Sequence, residues 1–359
     1  MPRHCEANRY WIGLWNMIFN SAAIKQKKLF IALLLLMLIV CIVYALTAGN
    51  YAISLKKIGE ILLFKFFGRK SDTITKMDEI VFWTIRFPRV LNAMFIGFAL
   101  SAAGTAYQGC FRNPLVEPFI LGASSGAAFG AAVGIVFNTF FLSISVSAFI
   151  FSLAAVAISY LLARNKNGVP VVALILSGVI VGSIFSAFVS LIKYVSEDTQ
   201  LREITFWMMG GLYYSTWNDI RLNAPIISAG FFLIWILSWK LNLLSLGDRD
   251  AQSLGIHPER YKFIFIVLAT LLTSVSVSGA GIIAWIGLMM PHAARLLMGP
   301  DNRFVVPVSA ILGALYLILC DTAARTITTA EVPVGIITSI AGAPFLLFLL
   351  RSNRKELLK

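Results

Sequence analysis

The sequence is dominated by long apolar stretches that contain no charged residue. The first, residues 29–47, is long enough to cross a hydrocarbon core about 30 Å thick, because an α-helix rises about 1.5 Å per residue. Similar stretches follow at 90–108, 119–163, 168–192, 222–239, 263–294, 304–320 and 332–350. Only 13% of the residues are charged, against about 25% in soluble domains. The chain is therefore predicted to be an all-α polytopic protein of the cell membrane, surrounded by lipid.

Two of these stretches are too long for a single crossing. Residues 119–163 predict a hairpin with its turn at Asn138 and Thr139. Residues 263–294 fit either one over-long helix or two short ones, and the Ser- and Gly-rich tract at 274–281 marks the expected break. The hairpin and the break together give ten transmembrane helices. Within the hairpin, glycines that recur every fourth residue from Gly122 to Gly134 predict close helix packing.

The distribution of charge between the loops predicts the orientation. Lysine and arginine accumulate on the cytoplasmic side of membrane proteins. With ten spans and the amino terminus inside, the inner segments carry nearly all of the net charge of +13. Nine spans would place the basic tail outside, so both termini are predicted to be cytoplasmic. We divide the chain into an N-terminal extension (1–28), a ten-span domain (29–350) and a basic tail (351–359). The extension either rests at the membrane interface or is disordered.

Several function classes are not expected. The excess of basic residues indicates the orientation of the chain in the membrane. It does not indicate nucleic-acid binding, since no soluble basic face is predicted. The four cysteines lack disulfide or metal-site spacing, so we expect no metal and no cofactor. The sequence contains no phosphate-binding GxxxxGK[ST] loop. We therefore expect a transport subunit that is not itself an enzyme, with ATP hydrolysis in a separate subunit.

A stand-alone secondary (ion-coupled) transporter is the alternative. Coupling to protons needs carboxylates or histidines at membrane depth. The predicted topology places the two candidates, Asp321 and His292, at the ends of spans. The absence of such groups from the middle of the spans favours an energy source outside this chain.

Three arginines lie at the outer mouths of predicted spans. They are Arg86, Arg89 and Arg325. Because the guanidinium fork suits bidentate carboxylate partners, an acidic protein could dock there. Interfacial anchoring is the alternative, and Arg325 could instead pair with Asp321 one helical turn earlier.

A loop on the inner side contains a short helical pattern. Residues 244–256 read LSLGDRDAQSLGI. Asp248 or Asp250 could cap a short helix, and Gly255 could end it in the left-handed conformation. Such an amphipathic helix at the membrane surface suits contact with a soluble partner, whereas a solvated connector is the alternative.

The chain resembles the FecCD-type permeases of ABC importers for cobalamin, ferric siderophores and haem. Four stretches carry the resemblance: RFPRVLNAMFIGFALSAAGTAYQGCFRNPLVEP at 86–118, FWMMGGL at 206–212, the inner loop at 244–256, and GLMMPHAARLLMGPDNR at 287–303. The fourth is followed further on by DTAART and EVPVGIITSIAGAPFLLFLL. The resemblance implies a homodimer of ten-span subunits with a translocation path between them. It also implies two cytoplasmic ATPase subunits, an extracytoplasmic substrate-binding protein and ATP-driven alternating access. Relatives also carry oxyanions such as molybdate.

The resemblance also implies roles for individual residues. It makes Arg86, Arg89 and Arg325 the arginines that receive glutamates from the two lobes of the binding protein. The cytoplasmic gate falls on Asn113, Pro114 and Leu115. The residues implied to couple to the ATPase are Gly247, Asp248, Ala251, Leu254 and Gly255.

A second gate is implied near the start of the fifth span. In several relatives this gate carries hydroxyl residues. Here the matching positions are Pro170 and Val171, and neither carries a hydroxyl.

Overall fold

A computed structural model of the chain describes residues 21–49, 51–68, 74–137, 143–166, 168–328 and 330–352. The described residues are mostly helical and contain no β-strand, as the composition predicts. A seven-residue π-helix, Ile80–Arg86, runs directly into α4. The α-helices are α1 (Ser21–Thr47), α2 (Leu55–Phe67), α3 (Lys76–Glu79), α4 (Phe87–Phe111), α5 (Ala123–Val136), α6 (Ile144–Ala163), α7 (Val171–Val195), α8 (Asp198–Met208), α9 (Trp217–Ser245), α10 (Asp248–Ser253), α11 (Pro258–Ala280), α12 (Ile286–Met298), α13 (Asn302–Thr326) and α14 (Val334–Ser352).

Seven helical segments of the described chain are long and apolar enough to cross a membrane. They are α1, the α3–π-helix–α4 segment, α6, α7, α9, α11 and α13. Two shorter apolar helices, α5 and α14, accompany them. The described residues between α1 and α4 are partly helical, since they contain α2 and the start of the segment that continues into α4.

Helix α4 forms the centre of the bundle. Most of its side chains are buried, and it packs against α9, α11, α12 and α13. Helices α5, α6 and α7 form a neighbouring group. Gly126 and Gly130 of α5 lie against the backbone of α6 at Phe151 and Ser147. The repeating glycines therefore pack helices, as the spacing predicts.

The long stretch 263–294 holds two helices. The Ser-rich tract is helical and buried to Ala280, and the break begins at Gly281, where φ is 69°. Helix α12 continues to Met298, beyond the charge-free stretch. His292 therefore lies in the middle of a helix, and its place at the end of a membrane span stays a prediction. The predicted turn at Asn138 and Thr139 lies outside the described residues.

Two non-helical segments meet inside the bundle. They are residues 113–122, before α5, and 281–285, before α12. The backbone N–H of Trp285 donates to Glu117 Oε1 at 2.8 Å, and Trp285 has a positive φ of 76°. Non-helical backbone at membrane depth is tolerated where it is buried in protein. This hydrogen bond satisfies one polar group of such a segment.

Candidate functional site

The three predicted arginines gather at one end of the bundle, where two of them contact Asp321. Arg89 Nε lies 2.8 Å from Asp321 Oδ1, and Arg325 Nε lies 3.1 Å from Asp321 Oδ2. Arg89 Nη1 also donates to Glu331 Oε2 at 2.7 Å. One buried carboxylate thus bridges two guanidinium groups, and a second carboxylate occupies the other side of Arg89.

Arg86 and Arg325 also bind the end of α1. Arg86 donates to the carbonyl oxygens of Leu46, Thr47 and Tyr51. Arg325 donates to the carbonyl oxygens of Ala45 and Ala48. These carbonyls lie at or beyond the last turn of α1, where helical acceptors lack partners and cations are favoured.

Burial is the property of this cluster that the sequence did not predict. The exposed fractions of Arg86, Arg89 and Arg325 are 5%, 3% and 5%. In a single copy of the chain they are internal groups with partners. The Arg325–Asp321 ion pair, left open as an alternative, is present. The docking role of the three arginines stays a prediction.

Glu331 is a residue that the sequence reasoning missed. Its side chain is 39% exposed, whereas that of Asp321 is 1% exposed. Glu331 is therefore the accessible carboxylate of the cluster. The signal lay in the EVPVG motif, which contributed to the resemblance without a role assigned to its glutamate.

The predicted gate residues form a tight turn directly after α4. Arg112 adopts the left-handed conformation, with φ at 52°, and ends the helix. Asn113 Oδ1 accepts a hydrogen bond from the backbone N–H of Leu115 at 2.9 Å, which is typical of an Asx turn. Pro114 stiffens the turn, and Leu115 remains 52% exposed at its tip. The turn thus holds an apolar side chain in a fixed, exposed position.

The proposed second gate lies at the start of α7. Pro170 is the N-cap residue and Val171 is the first helical residue. The preceding residue, Val169, donates its backbone N–H to Glu259 Oε2 at 2.9 Å. The first residues of α7 are therefore tied to α11.

The short helix predicted in the inner loop is α10, but its N-cap residue differs from the expected one. Its N-cap residue is Gly247, without a side-chain hydrogen bond, so the expected aspartate cap was wrong. Asp248 and Asp250 lie in the first turn, where negative charge is favourable. Gly255 follows the helix with φ at 81°, as expected.

One face of the segment formed by α10 and the residues that follow it packs into the bundle, and another face is exposed. Ala251 is completely buried in the bundle, whereas Leu254 is 57% exposed. The segment thus combines an anchoring contact with an exposed apolar side chain on the same side of the bundle as the gate turn.

Asp248 connects this segment to both candidate gates. Its Oδ2 lies 2.7 Å from Lys262 Nζ, and its Oδ1 lies 3.9 Å from Arg112 Nη2, next to the gate turn. Lys262 also reaches Glu259 Oε1 at 3.4 Å, and Glu259 holds Val169 before α7. A continuous chain of charged contacts therefore joins α10 to the two gate segments.

Comparisons with known proteins agree with this architecture. The model of the FecCD transport family matches residues 36–352. MJ0087 of Methanocaldococcus jannaschii, an assigned ABC transporter permease, is 37% identical over 92% of this chain and 97% of its own length. The molybdate import permease MolB of Haemophilus influenzae is 36% identical over 87% of this chain and 92% of its own.

A solved structure shares both sequence and fold. It is the inward-facing conformation of an ABC transporter assigned to the metal-chelate type, with 32% identity and a TM-score of 0.80. The match covers 90% of this chain and 99% of the other. Together with the apolar helices, these similarities establish a multi-pass protein of the cell membrane.

Proposed function

Because the chain belongs to the FecCD transport family of ABC permeases, we propose that it is the membrane subunit of a binding-protein-dependent importer. Two copies enclose a translocation path, two cytoplasmic ATPase subunits supply the energy, and an extracytoplasmic binding protein delivers the substrate. ATP binding drives alternating access. The observation that carries the proposal is the chain of contacts from α10 to both candidate gates, because a permease worked by an external ATPase needs such a connection.

The proposed topology has ten spans and cytoplasmic termini. The seven long segments supply seven spans, and α5, α12 and α14 supply three shorter ones. Helix α5 has 14 residues, about 21 Å at 1.5 Å per residue. The non-helical residues 113–122 complete its crossing. The preference of lysine and arginine for the cytoplasmic side supports the orientation.

The outward face of α7 supports a path between two copies. Ser183, Ser186 and Ser190 are exposed among apolar residues of this helix. Hydroxyl groups on membrane helices usually face other helices or water-filled cavities. We assign this face to the path and to contact with the second copy.

Movement of α10 would reach both gates through Asp248. The contact with Arg112 is long and exposed, so it contributes at most about 1 kcal/mol. The Lys262 side chain is 8% exposed and its contact with Asp248 is short. We therefore assign Lys262 as the main connection between the ATPase contact and the second gate at the start of α7.

Replacing Lys262 with methionine is expected to uncouple the transporter. The variant keeps the length of the side chain but loses the ion pairs with Asp248 and Glu259. Substrate uptake by the assembled complex should fall about tenfold or more, a change of about 1.4 kcal/mol or more in the barrier. ATP hydrolysis should continue. Both rates are measured in proteoliposomes.

Arg260→Met is the matched control. Arg260 is an exposed cation of the same helix, two positions away, and its replacement should leave uptake and hydrolysis coupled. Normal coupling in the Lys262 variant would contradict the assignment.

Glu331 is expected to occupy the place of the binding protein's carboxylate on Arg89. A docking glutamate would compete with it for Arg89 Nη1, because Asp321 already holds Nε. Glu331→Gln should therefore strengthen docking by about two- to fivefold, the range of an ion pair with an exposed partner. Surface plasmon resonance on the permease–ATPase complex in nanodiscs measures this affinity.

Glu203→Gln is the control for this substitution. It removes the same charge from an exposed position on α8, outside the arginine cluster, and should leave docking unchanged. Weaker or unaltered docking of the Glu331 variant would exclude the displacement.

The proposed cargo is a metal chelate or an oxyanion. The solved relative is assigned to the metal-chelate type, and the Haemophilus relative is named for molybdate import. Within the chelates we include iron-siderophore, haem and cobalamin. Identifying the ligand of the cognate binding protein decides between these classes.

A further inference from the structure

A cavity of about 650 Å³ lies between the end of α4, the gate turn and the second half of α12. Three basic side chains line it: Arg112, Arg295 and His292. Asn113 and Pro114 of the gate turn form part of its wall. All residues that line it belong to the described chain, and none of them is acidic. The cavity therefore has a positive lining without an internal counter-charge.

Arg295 is held in place by a neutral partner. Its Nη2 donates to Gln108 Oε1 at 2.6 Å. The orientation of the Gln108 amide is fixed, because its Nε2 donates to the carbonyl oxygens of Val116, Gly287 and Leu288. Neither Arg295 Nη1 nor His292 Nε2 has a hydrogen-bond partner within the described residues. The guanidinium is thus positioned but not neutralised.

The nearby carboxylates are engaged with other groups. Asp301 accepts hydrogen bonds from Arg303 and Asn242. Although burial alone would raise the pKa of Asp301, these hydrogen bonds lower it below its ordinary value. Asp248 binds Lys262 at 2.7 Å and approaches Arg112 only to 3.9 Å. Arg295 forms no ion pair within the described part of the chain, which is costly for a partly buried charge.

We propose that this cavity binds a tetrahedral oxyanion, either as free phosphate or molybdate or as the phosphate group of an anionic lipid. Guanidinium forks match the oxygens of such anions in a bidentate manner. Arg112 and Arg295 approach the cavity from α4 and α12, so one anion can contact both. Because Asn113 and Pro114 border the same space, an occupant would also stabilise the gate turn. The site is separate from the exposed face of α7, and its occupancy can be measured without transport.

The test is direct binding to the purified, delipidated full chain in detergent. Isothermal titration calorimetry with inorganic phosphate and with molybdate detects a free anion. Native mass spectrometry after addition of phosphatidylglycerol or phosphatidylcholine detects a lipid headgroup. Arg295→Gln is expected to weaken binding by about tenfold or more, the loss of a charge-assisted hydrogen bond.

A second variant separates binding from folding. Arg112 is 42% exposed, so Arg112→Gln should fold normally, and it is expected to weaken binding about threefold or more. Arg260→Gln, an exposed cation outside the cavity, should change nothing.

Binding of the small anions, or selective retention of phosphatidylglycerol, supports the site and identifies the source of the anion. The proposal is overturned if neither probe binds, or if binding is unaffected by both cavity arginine substitutions.

Discussion

Asp321→Asn is expected to lower the free energy of unfolding by about 3–5 kcal/mol, the cost of breaking a buried ion pair by removing one partner. The substitution preserves the shape of the side chain but removes its charge. Arg89 then loses its buried counter-charge, and Arg325 loses the only counter-charge that it has within the described residues. Asp321 is 1% exposed, so water cannot replace the lost charge. Thermal or denaturant unfolding of the purified protein in detergent measures the effect.

Glu331→Gln is the matched control for stability. It removes a carboxylate from the same arginine, but from a side chain that is 39% exposed. The expected loss is at most about 1 kcal/mol. Equal effects of the two substitutions would show that burial does not determine the role of Asp321.

Gly104→Ala is expected to destabilise the bundle by about 3 kcal/mol or more, at the upper end of the cost of overpacking a core. A Cβ atom at this position would lie 1.9 Å from the carbonyl oxygen of Gly287 and 2.6 Å from its carbonyl carbon. Both are backbone atoms, so relief requires α4 and α12 to move apart. The yield and thermal stability of the folded protein measure the effect.

Gly59→Ala introduces the same methyl group in α2, where no atom lies within 4 Å of the new Cβ. Alanine should stabilise this helix by about 0.5–1 kcal/mol, because glycine is a poor helix former. If the Gly104 variant matched the Gly59 variant in stability, the close approach of α4 to α12 would be refuted.

The sequence predicts much of the helical architecture, because the surrounding lipid requires it. A charge-free stretch of sufficient length must satisfy its backbone hydrogen bonds internally in lipid, and a helix does so. Where one stretch contains two helices, hydropathy does not locate their ends. The residues after the break at Gly281 end at Trp285, whose backbone N–H binds Glu117 from a segment 168 residues away.

At the candidate sites too, local features are predictable from the sequence, whereas contacts between distant residues are not. Gly255 was predictable as a left-handed stop, because helix termination is local. The contact of Arg89 with Asp321 joins residues separated by 232 positions, and that of Val169 with Glu259 joins residues separated by 90. Such contacts arise only when the bundle is packed. The sequence therefore identified the arginines but neither their burial nor Glu331 beside them.

The position of His292 bears on the alternative of an ion-coupled carrier. It lies in the middle of α12, but on the cavity beside the gate turn at the end of α4, so its depth in the membrane stays a prediction. Its imidazole lines the same cavity as Arg295. The alternative is therefore best judged by transport itself.

Reconstitution tests the central claim most directly. Proteoliposomes are prepared with this chain alone, and with the chain together with its ATPase and binding protein. Labelled metal chelate or molybdate is then offered under an imposed proton or sodium gradient, with and without ATP. We predict accumulation only with all components and ATP. Accumulation by the chain alone, driven by an ion gradient, would contradict the account.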